Sequence, residues 1–419
     1  MRWRTALRVS IAPRIGLLLI PWLLAYRGKM TDWITDGYWE SVTAQSTFLL
    51  GYTAPAVAAC GAWEAVRVRQ SQVLQRAPAR SATAVALSAL VPTFVLGGLS
   101  VLLAVALFAP QAMGYPGGPS PAVIGLALLV VVAHTAVGYA VGLTLPGILA
   151  VPTAMVGSFV WMAYPSAMEV FWVRQLNGHN LTECCALDEV VAPRSLLAPA
   201  LVAVGMVAAA WIWTVRGRFS RPALLLAPAV LAAAVVAGAV VAEPLGYRAA
   251  VPRSTALRTC GDTVPRICLW PEQRRAAADI TAWATQARQR LAAAGLRTPG
   301  SISVTSVSPT QDQVRSLLAL SLVPNDIPPC AADTQWPGYA AVGPVSAWLS
   351  LTAGADPRAV AGRYPREEVR IAQQVLAAPR KAQLSWFLRN ARTFGRCDQS
   401  PDLNPAHYQA APAARRAVR

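Results

Sequence analysis

The chain has 419 residues, 55% of them hydrophobic and only 14% charged, with a formal net charge of +17. Soluble domains average about 25% charged residues, and disordered basic chains are poor in Leu, Val and Ala. The composition therefore excludes both an ordinary soluble globule and a disordered polycation, and it indicates a polytopic α-helical membrane protein. Only Lys29 and Lys381 are lysines, so the excess charge is arginine and its placement along the chain carries the information.

A hydrocarbon core of about 30 Å needs about 20 apolar residues of helix. In chain order the segments predicted to span it are 9–26, 41–63, 81–109, 121–143, 147–164, 195–215 and 222–241, about seven in all. The first is interrupted by Arg14, which can snorkel to the inner interface. A secretory signal starting at Met1-Arg-Trp-Arg is disfavoured because no small-x-small cleavage site follows Leu24. The fourth and fifth spans are joined by Thr144-Leu145-Pro146, a hairpin too short to carry a domain.

Short-loop arginines orient the spans, because cytoplasmic loops are enriched in them. With the N-terminus cytoplasmic, the inner segments hold Arg2, Arg4, Arg8, Arg14, Arg67, Arg69, Arg76, Arg80, Arg216, Arg218 and Arg221. The outer short loops hold Arg27, Lys29, Arg174 and Arg194 among Asp32, Asp36, Glu40, Glu169, Glu183, Asp188 and Glu189. An odd number of spans then places residues 244–397 outside as an α-rich (α+β), disulfide-containing domain. The Pro/Ala/Arg-rich 398–419 follows as a disordered tail. Cys60 lies in the second span, whereas the other six cysteines fall on the predicted outer side, where disulfides form. Six cysteines permit 15 pairings, of which Cys260 with Cys268 and Cys330 with Cys397 is preferred. Adjacent Cys184 and Cys185 are expected to link to a partner chain or to stay reduced.

In the outer domain, Pro271-Glu272 opens a helix continued by Ile280, Trp283, Ala284, Ala287 and Leu291 up to Gly295. A strand is predicted at 302–307, a helix capped by Thr310 through Leu322, and further helices at 345–351, 367–378 and 383–393. The chain has three histidines, His134, His179 and His407, and only the last lies in this domain. A Ser-His-Asp or H-E-x-x-H arrangement is therefore poorly supported. No catalytic, cofactor-binding or metal residues are assigned, and an interaction domain is favoured over an enzyme. The stretch His179-Asn-Leu-Thr-Glu-Cys-Cys-Ala-Leu-Asp-Glu mixes soft-metal ligand types, and a disulfide loop is the favoured reading.

Within the membrane domain, no G-x-x-x-x-G-K-[ST] motif is present, so an ATP-driven role needs another subunit. The segment 64–80 is basic and aligns Val66, Val73, Leu74 and Ala77 on one helical face. It is suited to lie on the membrane surface or to dock in a partner's groove, against the simpler role of a positive-inside anchor. Glu64 is expected to pair with Arg67 or Arg69. His134 is an ionisable residue at mid-depth, by default a functional candidate, and a neutral histidine bonded between helices is favoured. Gly138-x-x-x-Gly142 permits close helix contact.

The order of parts, a cytoplasmic N-terminus, two spans, a basic cytoplasmic segment and four further spans with an outer loop before the sixth, resembles the export-class (type 2) permeases of ATP-binding-cassette (ABC) transporters. The stretches Gly61-Ala-Trp-Glu-Ala-Val-Arg-Val-Arg and Ala77-Pro-Ala-Arg-Ser are similar to the corresponding segment of uncharacterised actinobacterial membrane proteins related to that family. Cys268-Leu-Trp-Pro-Glu is similar to a motif of the extracytoplasmic domains appended to them. The resemblance covers residues 1 to 221 by layout, and the seventh span and the outer domain depart from the minimal permease. It implies that Glu64, Arg67, Arg69, Arg76 and Arg80 form the ATPase-coupling segment and that Glu169 to Arg194 form the outer gate. It further implies a separate ABC ATPase subunit and a homodimer or heterodimer in the lipid bilayer; no nucleic acid partner and no bound cofactor are expected. The alternative expectation is a membrane-anchored extracytoplasmic binding or sensing protein without transport activity.

Overall fold

Where water is excluded, a single segment satisfies its own backbone polar groups as a helix, and the protein, with its runs of Ala, Val and Leu, is mainly helical. The computed structural model describes residues 8–26, 34–72, 81–179, 181, 184–216, 220–247, 249–323, 328–332 and 336–408. The chain divides into two compact units, Met1–Ser254 and Thr255–Arg419.

The first unit contains α1 (Ala12–Tyr26), α2 (Trp39–Ser46) running through a 3-10 turn into α3 (Leu50–Gln70), α4 (Ala82–Phe108), α5 (Pro121–Thr144) and α6 (Gly147–Ala163). The single turn α7 (Phe171–Arg174), strand β1 (Glu189–Val191), α8 (Pro193–Arg216), α9 (Arg221–Ala242) and β2 (Ala250–Pro252) complete it. Ser81 and Ser220 cap α4 and α9 by accepting from the amides of Ala84 and Ala223. Among the described residues five helical segments are long and apolar enough to cross a membrane: Ala82–Gln111, Pro121–Thr144, Gly147–Ala167, Pro193–Val215 and Ala223–Ala242.

The first two expected spans differ. Segment 9–26 forms the shorter apolar helix α1. Segment 41–63 lies on the α2–α3 rod, which is helical but too polar to rank with the five. The reason is its location: most of α3 is buried against its neighbours. Ala58, Ala62 and Val66 pack on Ala150 and Ala154 of α6, and Ala65 packs with Ala86, Leu90 and Tyr139. The hydroxyls of Thr43, Ser46 and Thr47 on the rod return to backbone carbonyls of Trp39, Thr43 and Ala44 at 2.6–2.7 Å. A helix buried over most of its surface is free of the requirement for apolarity on every face.

The approach of α5 to α3 is set by glycine. A Cβ at Gly138 would overlap the carbonyl of Ala58, one at Gly142 that of Ala62, and one at Gly61 that of Thr135.

The second unit has strands β3 (Thr259–Cys260), β4 (Arg266–Leu269) and β5 (Ser301–Ser303) in the order β3-β4-β5, the first pair antiparallel and the second parallel. Its helices are α10 (Ala277–Ala293), preceded by a 3-10 segment Pro271–Ala276, then α11 (Gln311–Leu320), α12 (Tyr339–Thr352), α13 (Pro357–Arg363), α14 (Arg366–Leu376) and α15 (Arg380–Ala391). Thr310 and Gln313 form a capping box at α11. The core gathers Ile280, Leu291, Val314, Leu318, Val345 and Phe394, with Trp348 edge-on to Trp386 at 6.0 Å. Disulfides join Cys260 to Cys268 and Cys330 to Cys397.

Two expectations are corrected in this unit. The predicted strand 302–307 stops at Ser303, because the Gln273 side chain donates to the carbonyls of Val304 (2.9 Å) and Ser306 (2.7 Å) where a partner strand would otherwise bond. Residues 398–408, expected to be disordered, are held to α15: Asn390 donates to the Asp402 carbonyl at 2.8 Å and Trp386 to that of Leu403 at 3.3 Å. Residues 409–419 lie outside the described residues.

Candidate functional site

The expected coupling segment begins inside the bundle. α3 runs unbroken to Gln70 and ends at Ser71 and Gln72, the latter at φ +54°. Residues 64–70 are therefore the last two turns of a packed helix, and Val66 is buried in the bundle core, which corrects the expectation of a surface helix starting at Glu64. Glu64 is fully buried, and its Oε2 accepts from Arg67 Nη2 at 2.5 Å and Nε at 2.8 Å. Its Oε1 accepts from the backbone of Ile11 at 3.2 Å, so the carboxylate ties α3 to the start of α1. A buried charge persists when paired and hydrogen-bonded in this way. Arg69 does not join this pair. Its guanidinium donates to the carbonyls of Leu143 (3.3 Å) and Leu145 (2.8 Å), filling acceptors that the C-terminus of α5 leaves open. Arg76 and Arg80 lie outside the described residues.

His134 is buried on α5, with Nδ1 2.6 Å from Ser158 Oγ of α6. Beside it is a void of about 10 Å³ bordered by Trp161, Asn177 and Met206, about the size of one water.

The segment after α6 departs most from an ordinary loop. Past α7 the chain turns into the bundle, with Arg174, Gln175, Leu176 and Asn177 all buried. Asn177 Nδ2 donates to the carbonyls of Trp161 (3.1 Å) and Met162 (3.0 Å) at the end of α6, and its Oδ1 accepts from His179 N at 2.9 Å. Gly178 has φ +76°, and a Cβ there would lie 3.3 Å from Val130 of α5. His179 Nε2 is 3.2 Å from the Phe48 carbonyl, next to Gly51 of α3. Residues 174–179 thus form a plug seated on α3, α5 and α6.

The segment C-terminal to the plug is clamped. Thr35 donates to the Cys185 carbonyl at 2.8 Å and Tyr38 to that of Glu189 at 2.7 Å. Arg253 donates to Leu187 O at 3.3 Å and lies 4.9 Å from the Tyr38 ring centroid, while β1 pairs antiparallel with β2. Cys184 and Cys185 are disulfide-bonded to each other, which corrects the expectation of free or intermolecular thiols. Both are buried in this packed segment. Among the described residues no group of three or more His, Cys, Asp and Glu converges to hold a metal.

The structure thus brings Glu64 and Arg67 together, directs Arg69 to a helix end and sets His134 apart on α5. The plug has one local signal in the sequence, Asn177-Gly178, a pair suited to a turn with positive φ. The burial around it comes from helices distant in sequence.

Residues 267–397, within the second unit, match the model of a domain of unknown function, DUF7224. No curated protein and no solved structure matches the chain.

Proposed function

We propose that the chain is the membrane-spanning subunit of an ABC-type exporter, working as a dimer with a separate ATPase. In this reading α1 and the α2–α3 rod complete seven spans, the N-terminus is cytoplasmic, and the 174–179 plug with its clamp is the outer gate. The observation that supports it is α3 itself. Near its first turn it touches the plug at Gly51, and in its last turns it carries Glu64, Arg67 and Arg69. Eighteen residues separate Gly51 from Arg69, roughly 27 Å of continuous helix. Force applied by an ATPase at 71–80 passes along α3 to the plug, because a packed helix moves as a rigid element. His134, bonded to Ser158, keeps α5 and α6 in register beside the plug.

Purification from its native membrane in mild detergent tests this. The expected result is an ATP-hydrolysing subunit that co-purifies with the full chain and is lost when residues 70–76 are deleted. Absence of any such subunit with the intact chain overturns the proposal. The competing reading, a membrane-anchored binding or sensing protein, is favoured by a cleft of about 680 Å³ in the second unit, and it requires ligand binding with no ATPase present.

A further inference from the structure

The cleft in the second unit lies between α11 and α13, over the chain that continues from β5. Its volume of about 680 Å³ falls in the range of small-ligand sites, roughly 300–1,000 Å³. The apolar surface comes from Leu317, Leu320 and Tyr364, with Val304 and Val360 buried behind it, and hydroxyls and an amide come from Thr305, Ser316 and Gln313. The floor is held in place by Gln273, buried and bonded to the carbonyls of Val304 and Ser306.

Two opposite charges line it. Asp312 sits in the first turn of α11, where Oδ1 accepts from the Asp356 amide at 2.8 Å, and Oδ2 has no hydrogen-bond partner among the described residues. Arg363 sits in the last turn of α13. Its guanidinium lies 5.9 Å from the Tyr364 ring centroid and has no ion pair or hydrogen bond among the described residues. Asp312 is bonded to residue 356 at the start of α13 and Arg363 stands in its last turn, so their anchoring points on the backbone are separated by about 10 Å of helix rise. An extended peptide advances about 3.3–3.6 Å per residue, so about three residues bridge them.

We infer that this cleft binds a short peptide of about three residues with both termini free, its ammonium at Asp312, its carboxylate at Arg363 and its apolar side chains on the Leu317–Leu320–Tyr364 surface. The hydroxyls and Gln313 serve the peptide backbone. This inference stands independently of any transport activity.

The test is calorimetric titration of the full chain in detergent with Ala-Leu-Ala, its N-acetyl form and its C-terminal amide. The free tripeptide is expected to bind, and blocking either end to weaken it about tenfold or more, as loss of a charge-assisted contact does. In Arg363→Ala the acid and the amide are expected to bind equally weakly, and in Asp312→Asn the free and acetylated forms likewise. No binding of Ala-Leu-Ala at millimolar concentration, or equal affinity for free and blocked peptides, overturns the inference. So does an Arg363→Ala variant that still prefers the acid. Should a variant fail to fold, the blocked peptides on the native chain decide the matter alone.

Discussion

Glu368 illustrates how a single carboxyl can be held at a cost. Its side chain lies against Gly343 of α12, so closely that no Cβ would fit there. Burial pushes its pKa up. Below the carboxylate's ordinary range, about 4.3, the group is protonated folded or unfolded and exerts no effect. As pH rises through that value the unfolded chain ionises first, so a penalty on the fold grows and is complete above the raised folded pKa. Glu368→Gln is therefore expected to raise the thermal midpoint of the second unit at pH 7 by the order of 1 °C, with the difference vanishing near pH 4, as read by circular dichroism across pH. Glu64 shows the opposite arrangement, a buried carboxylate fully matched by Arg67 and the Ile11 amide. Its pairing was legible as an i,i+3 neighbour. The use of Arg69 was not, because the carbonyls it caps belong to residues 143 and 145, brought to it only by folding.

At the scale of elements, α3 decides the arrangement of the first unit. Its contact with α5 rests on backbone touching backbone, and the Gly138–Gly142 spacing that permits it was readable from the sequence. Gly138→Val places a branched side chain on the Ala58 carbonyl and is expected to cost about 2 kcal/mol or more, in the manner of overpacked interiors. Gly125→Ala on the same helix meets open space and is expected to be harmless. Detergent-solubilised thermal unfolding of the two variants compares them directly. The hydropathy pattern located α4, α5, α6, α8 and α9 within a few residues, since each is apolar over a length sufficient to cross a membrane. It also marked 41–63 as a span, a segment that lies on the α2–α3 rod but is not among the helices apolar enough to cross a membrane; the burial of that rod is a property of its neighbours, which hydropathy does not report.

For the whole molecule, the two units are stabilised by different means. The first combines close helix packing with the Cys184–Cys185 bridge, whereas the second closes one contiguous core with two disulfides. Cys330–Cys397 spans a sequence separation of 67 and Cys260–Cys268 one of 8. By loop-closure entropy, replacing the first pair with serine is expected to cost about 4 kcal/mol and the second about 2.5 kcal/mol. Denaturant unfolding of the full chain, followed by tryptophan fluorescence, reads this order. An equal effect of the two pairs would show that native-state contacts around the bridges outweigh chain entropy.

The sequence by itself determined that this protein is helical, rich in apolar segments of membrane-crossing length and divided into an apolar part and a more polar part that carries four of the seven cysteines. These features follow from composition and from periodicities that repeat within one element. Only the tertiary structure decided that residues 174–179 turn inward as a plug, that Thr35 and Tyr38 hold the segment around Cys185, and that Asp312 and Arg363 line one cleft. Each of those depends on groups far apart in the chain being brought together by the fold, and no local pattern encodes such a meeting.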